Sequence, residues 1–174
     1  MENRTTIAVG SFEVHDGMIA VGDPCYAHFQ SFERFGAKNG KYNAYVVMSD
    51  EKRWGMRVAK LIAIHEDDDN GANTKKWEPC DFYLSVDSGT MGIFDNEYHY
   101  DHHYNEVLDD DWYERVVINM EGKFGIYDNS CIISESGFGD GSYDVDVIFD
   151  NDDGVTICAV AVIFIEEDDE DEYE

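Results

Sequence analysis

The sequence predicts a mainly β fold (α+β by class): an antiparallel β-sandwich or curled sheet with one amphipathic helix near residues 110–121 and a C-terminal hairpin over 142–165. Three observations predict it. Ten Phe, eleven Tyr and three Trp favour sheet, because flat and β-branched side chains pack well on a pleated surface. Short apolar segments recur between Gly- and Asp-bearing turns. The longest apolar run, Val155 to Ile165, suits a buried strand and is far too short to span a bilayer.

The elements follow in chain order. Thr6–Val9 and Ser11–Val14 are short strand pieces, and Asp16-Gly17 before Met18–Val21 reads as a hairpin turn. Gly22-Asp23-Pro24 ends that strand, since Pro24 has no N–H to give a ladder. A stretch around His28 to Phe35 is read as a short second helix. In Tyr42–Met48 the residues Tyr42, Ala44, Val46 and Met48 share a face; in Val58–His65 so do Val58, Ile62 and Ile64. Glu66–Thr74 is an acidic loop, and Phe82–Val86 and Met91–Phe94 flank the turn Asp87-Ser88-Gly89-Thr90. Trp112, Tyr113, Val116, Val117 and Met120 fall at helical spacing behind Asp109, Asp110 and Asp111, which complement a helix N-terminus. Gly122 stops that helix. Phe124–Tyr127 and Cys131–Ser134 are strands. Tyr143, Val145, Val147 and Phe149 alternate with acids, and Asn151–Gly154 turns the chain into Val155–Ile165. One domain over 1–165 is expected, followed by an acidic tail, 166–174, whose like charges favour disorder.

Charge bounds the partners. The formal net charge is −27, and without the tail 31 acidic residues still face 12 basic ones. Such a surface repels nucleic acid and anionic membranes and attracts a basic protein surface. Solubility alone needs far less charge, although it is the plainer reading. MENRTTIAVG holds no apolar stretch of signal-peptide length. Cys25, Cys80, Cys131 and Cys158 form no CxxC pair, so reduced thiols in a cytoplasm are expected. A homodimer is compatible with all of this.

Three segments carry a family resemblance: Gly22-Asp23-Pro24-Cys25-Tyr26, Val86–Thr90 leading to Ile93-Phe94-Asp95, and Ser136-Gly137-Phe138-Gly139-Asp140-Gly141-Ser142-Tyr143. In this order they resemble a bacterial and phage family, number 4241 among the domains of unknown function. The likeness runs from Val14 to Ile165. It implies a single β-rich domain with three Asp-bearing turns, and it brings no activity with it.

The candidate chemistry has a plainer alternative at each point. Asp23, Asp87, Asp95 and Asp140 could hold a divalent cation or act as an acid/base pair if the turns converge; Asp in turns more often bonds its own backbone. Cys25 with His28 or another histidine as base would be a nucleophile, or merely a packed thiol. His99, Asp101 and His103 alternate, and on a strand they would share a face toward a transition metal; on a loop they are solvated. Glu66–Gly71 fails as a calcium loop because its twelfth position is Trp77. There is no phosphate-binding loop, HExxH or GxSxG, and Gly137–Gly141 lacks dinucleotide spacing. A divalent metal is thus the one cofactor left open.

Two functions compete. In the first, the chain is a non-enzymatic binder with Asp67, Asp68, Asp69, Asp144, Asp146 and Asp150 as contact residues. Carboxylates two residues apart on one strand face repeat at about 6–7 Å, close to phosphate spacing. That fits a phage-encoded nucleic-acid mimic that inhibits a host defence or nucleic-acid-binding protein. In the second, it is a small hydrolase or ligand-binding domain whose pocket is built by Asp23, Asp87 and Asp140, which must then lie together.

Overall fold

The computed structural model describes residues 3–25, 32–69, 76–100, 112–150 and 152–167. Its strands are β1 (Arg4–Val14), β2 (Met18–Gly22), β3 (Glu33–Gly36), β4 (Gly40–Asp50), β5 (Met56–His65), β6 (Glu78–Val86), β7 (Thr90–Asp95), β8 (Phe124–Tyr127), β9 (Cys131–Glu135), β10 (Gly141–Phe149) and β11 (Ile157–Ile163). Helical turns α1 (Glu66–Asp69), α2 (Asn96–His99) and the π-wound α3 (Glu114–Ile118) connect them. All ladders are antiparallel, in a six-stranded sheet ordered β1-β4-β5-β11-β10-β6 and a five-stranded sheet ordered β3-β2-β7-β9-β8.

The two sheets share a core. Phe12, Tyr42, Val46, Leu61, Val145, Val147 and Val160 come from the large sheet, and Ile19, Val21, Met91, Ile93 and Ile132 from the small one. Each such side chain contributes about 1.5–3 kcal/mol on burial. A second cluster covers the small sheet's other face, where Phe94, Cys131 and Ile133 meet Trp112, Val116 and Val117. The expected amphipathic helix is therefore present over the described part, with its apolar face buried. Its wider π turn aims the adjacent Val116 and Val117 at the same sheet. Trp112 Nε1–H donates to Tyr98 Oη at 2.5 Å, and Tyr98 O–H donates to Asp128 Oδ2 at 2.6 Å. The Asp109–Asp111 cap lies outside the described residues.

Several expectations are corrected. The two N-terminal pieces are one strand, β1, carrying a bulge between Ala8 and Gly10. Gly10 takes φ 153°, and a Cβ there would sit 2.8 Å from Ile126 Cδ1, so only glycine fits the bulge without strain. Asp16-Gly17 is not a hairpin turn, because β1 and β2 belong to different sheets. Residues 33–36 form strand β3 instead of helix, paired with β2, and the rest of the 28–35 reading falls mostly outside the described residues. Glu66–Asp69 is a helical turn and not open loop. In β5, Val58 faces the core whereas Ile62 and Ile64 face outward, because a bulge opposite Val47/Met48 shifts the phase at Ala59. In β10, Ile148 lies on the outward face and is buried there in a cluster with Ile64 and Ala159, while Phe149, opposite a bulge that inserts Cys158 into β11, is 37% exposed. Strand β11 begins only at Ile157, and Val155 is 75% exposed. The C-terminal hairpin itself pairs as expected, with Val145 opposite Val162 and Val147 opposite Val160. No described helix is long and apolar enough to cross a membrane.

Candidate functional site

The three Asp-bearing turns meet at one corner of the two sheets. Asp23, at the end of β2, is fully buried. Its Oδ1 accepts from Cys25 N–H at 2.8 Å and Ser88 Oγ–H at 2.6 Å; its Oδ2 accepts from Asp87 N–H at 2.6 Å and Ser88 N–H at 2.9 Å. Ser88 spends its only hydroxyl proton on Asp23, so at the 2.6 Å contact with Thr90 it is Thr90 that donates. The third turn joins through Ser136 N–H, which donates to Gly89 O at 3.0 Å. A Cβ placed on Gly89 would lie 4.0 Å from Asp140 Oδ1. Tyr143 O–H closes the last turn on Gly139 O at 2.5 Å.

This geometry decides what the corner can do. A carboxylate has about four acceptor positions, and all four on Asp23 are taken by the protein's own donors. Asp23 is therefore a tie between turns, with no lone pair left for a cation. Asp87 and Asp140 are brought beside it with exposed side chains. Burial pushes the Cys25 thiol up to about 12, aided by its hydrogen bond to Asp23 and the charges of Asp23 and Asp87. A thiol so shifted carries almost no thiolate at neutral pH, the opposite of an activated nucleophile. His28, its expected base, lies outside the described residues. No disulfide joins any of the four cysteines. A cavity of about 340 Å³ opens next to the corner, lined by Arg57, Ser88, Thr90, Met120 and Phe138 among others.

Of the alternating metal candidates, only His99 lies among the described residues. His99 sits in α2, completely buried, with its ring centroid 3.9 Å from that of Phe32 and its Nδ1 3.2 Å from an Arg34 nitrogen. Asp101 and His103 lie outside the described residues. Among the described residues no group of three His, Cys, Asp or Glu is arranged to hold a metal ion.

The six acidic contact candidates divide into two groups along the large sheet. Asp144 and Asp146 alternate with the core residues Val145 and Val147 and so occupy the outer face of β10, where Asp144 pairs with the 71% exposed Tyr83 of edge strand β6. Burial, reinforced by Asp144 and opposed by Lys60, raises the Asp146 pKa. Asp150 lies beyond Phe149, the last residue of β10, and leaves that row. It joins Asp67 and Asp68 around Lys38, whose ammonium stands 3.5 Å from both of the latter carboxylates. Burial works to lower the Lys38 pKa, but Asp68, Asp150 and Asp67 outweigh it. Asp69 accepts from Tyr45 O–H and, at 2.9 Å, from Asn43 Nδ2–H.

Two features escape a reading of the sequence. His15 Nδ1 lies 2.8 Å from Asp95 Oδ2, and the His15 N–H donates to Asp95 Oδ1 at 3.2 Å. Asp95 is one of the acids singled out from the sequence, but nothing in the spacing pairs it with a residue 80 positions away. The β4–β5 tip, Lys52-Arg53-Trp54-Gly55-Met56-Arg57, concentrates three of the twelve cations and two exposed apolar side chains. Its signal was simply local charge density. No family model, curated protein or solved structure matches this chain.

Proposed function

We propose that this chain is a non-enzymatic binding protein whose acidic surface docks on a basic protein surface, with the outer face of β10 and β6 as the contact. One observation carries the reading: Asp144 and Asp146 are held side by side on an ordered strand, partly desolvated, next to the exposed Tyr83. Carboxylates beside an aromatic suit a Lys- or Arg-rich partner, since Tyr adds contact area at little entropic cost. The net charge of −27 steers such a partner in. The sharpest version is a nucleic-acid mimic of phage type inhibiting a nucleic-acid-binding protein in a reducing cytoplasm. Its phosphate-like row rests on two carboxylates, because Asp150 departs from it. The test is capture from host lysate by the immobilised chain at low and high salt, with Asp144→Lys/Asp146→Lys beside it. A nucleic-acid-binding protein released by salt, competed by DNA and lost on charge reversal supports the reading. Equal capture by the reversed variant sinks this face as the contact.

A second reading is favoured by the corner itself, where the three turns adjoin beside a cavity as a ligand-binding domain requires. There the corner binds a small polar ligand, with Ser88, Thr90 and Arg57 as its hydrogen-bonding groups. Ligand-induced thermal stabilisation that is lost in Thr90→Val would favour this reading over the first.

A further inference from the structure

Among the described residues, β1 and β6 end the large sheet and β3 and β8 end the small one. Three of these edges are guarded. β6 carries Pro79, which has no N–H to offer, and the charges of Glu78 and Asp81. β3 carries Glu33 and Arg34, and both β3 and β8 are only four residues long. Charge, proline and short length are the usual means by which an edge avoids pairing with another chain. β1 has none of them: it runs for eleven residues without proline, and from Arg4 to Phe12 it holds no carboxylate, in a chain with 39 acidic residues.

The phase of the β1–β4 ladder determines which backbone groups of β1 are open. Asp50 N–H donates to Asn3 O at 2.9 Å, and Arg4 stands opposite Ser49. Asn3 therefore faces β4, and so do Thr5 and Ile7, because ladder bonds alternate from residue to residue. The N–H and C=O groups of Arg4, Thr6 and Ala8 point away from β4. Past the bulge at Ala8/Gly10 that outward direction is used within the chain, where Glu13 N–H donates to Asn129 O at 2.9 Å in the β8–β9 turn. Before the bulge, among the described residues, no backbone or side-chain group pairs with the outward groups of Thr6 and Ala8. The side chains of Thr5, Thr6 and Ala8 are exposed, and Ile7 is only partly buried against the core.

Open backbone groups along a strand select another strand, and the charge selects which. Two chains of −27 repel, so a second copy can approach closely only where carboxylates are absent, as they are over Arg4–Ala8. We propose that this segment is a self-association edge, at which the β1 strands of two copies pair antiparallel about a two-fold axis through Thr6. The register places Arg4 of one copy opposite Ala8 of the other, Thr5 opposite Ile7, and Thr6 opposite Thr6. All three outward-facing residues of each copy then find partners, no like charges face each other, and Thr5 covers the half-open Ile7. Thr–Thr and β-branched pairs of this kind favour strand pairing. The contact lies at the small end of specific interfaces, so the dimer forms as concentration rises. β1 and β6 are at opposite ends of the large sheet. The pairing therefore leaves the outer β10–β6 face of each copy open, one at either end of a continuous twelve-stranded sheet.

The test is sedimentation of the full-length chain over a range of concentrations, at physiological ionic strength and at about 0.5 M NaCl, with Thr6→Asp and Thr6→Lys beside it. The mass of the native chain should move from one copy toward two as concentration rises. It should move further at the higher salt, because screening removes the repulsion between two acidic chains. Thr6 is exposed, so neither substitution touches the core, and an unchanged urea midpoint checks this. Each substitution sets like charges face to face across the axis and should weaken the association by about fivefold. Thr6→Lys should do so even though it lowers the net charge. An equimolar mixture of the two variants, in which opposite charges meet at the axis, should recover the association. Amide exchange reads the same contact residue by residue: the N–H groups of Thr6 and Ala8 should slow with concentration, while those of Thr5 and Ile7 should not change. A native chain that stays monomeric up to about 1 mM at both salts overturns the proposal. So does a native dimer that both substitutions leave intact, or one that salt disperses, since attraction between opposite charges elsewhere on the surface would then hold it.

Discussion

Four hydrogen bonds converge on the Asp23 carboxylate, three of them from a turn 64 and 65 residues away. The Gly-Asp-Pro pattern marks a turn in the sequence, and the side-chain-to-backbone bond to Cys25 N–H is the local behaviour expected of such an Asp. The bonds to Asp87 and Ser88 have no such signature, because they depend on two different sheets closing on each other. Hence the sequence poses the meeting of the turns as a condition without supplying the contacts that satisfy it. The same holds for His99, whose burial among Phe32 and Phe94 reflects the helical start of a run whose alternation reads equally well as strand. Asp23→Ala leaves the N–H groups of Cys25, Asp87 and Ser88 without this acceptor. Each orphaned buried group costs about 1–3 kcal/mol, so a loss of about 3 kcal/mol or more is expected in urea unfolding. Asp23→Asn, which keeps one acceptor oxygen, should lose less. If Asp23→Ala unfolds at the native midpoint, the carboxylate does not tie the turns together.

At the scale of elements, the Asp16-Gly17 turn crosses between sheets where a reading of apolar runs expects a hairpin. Alternation was readable in β4, whose residues 42–48 carry no bulge, and in the β10–β11 pairing. It failed in β5, because one inserted residue, Ala59, moves every later side chain to the opposite face. Which sheet a strand enters was hidden for a related reason: the Asp16-Gly17 crossing is held by His15 on Asp95 of β7, a contact between distant segments. That tie is sensitive to pH. The hydrogen bond to Asp95 raises the His15 pKa, against a small opposing effect of burial, and burial raises that of Asp95 despite His15. A histidine raised on folding contributes stability that is complete below its unfolded pKa of about 6.5 and is lost as pH climbs through the folded value. The raised Asp95 has the same sign, favouring the folded chain more at lower pH. Unfolding free energy should therefore fall as pH rises from about 6.5, and His15→Gln should flatten that slope. An NMR titration of His15 should have its midpoint above about 6.5; a midpoint at or below that value would mean the pair does not hold the crossing.

For the molecule as a whole, the charge of −27 is a cost borne by the isolated chain. Like charges on one small fold repel, and the repulsion is relieved by salt as the screening length falls from about 30 Å at 0.01 M to about 3 Å at 1 M. The melting temperature should accordingly rise with NaCl, by about 2–4 °C for each kcal/mol of repulsion removed in a chain of this size. The rise should not be shared equally among the carboxylates. Asp144 and Asp146 are neighbours on one strand face, and Asp146 is partly desolvated, so their repulsion is screened less by water than that of fully exposed acids. Asp144→Asn/Asp146→Asn should therefore raise the melting temperature at low salt and make its salt dependence shallower. An equal number of amide substitutions at the exposed Asp152 and Asp153 should not gain as much, since Asp153 already accepts from Val155 and Thr156 and its carboxylate is held below the usual range by those bonds. A face that destabilises the free chain and is relieved by a cation is what docking on a basic partner requires. If the Asp144/Asp146 pair proves thermally neutral at low salt, these two carboxylates carry no stored repulsion for a partner to release, and the outer face of β10 loses its claim to be the docking surface.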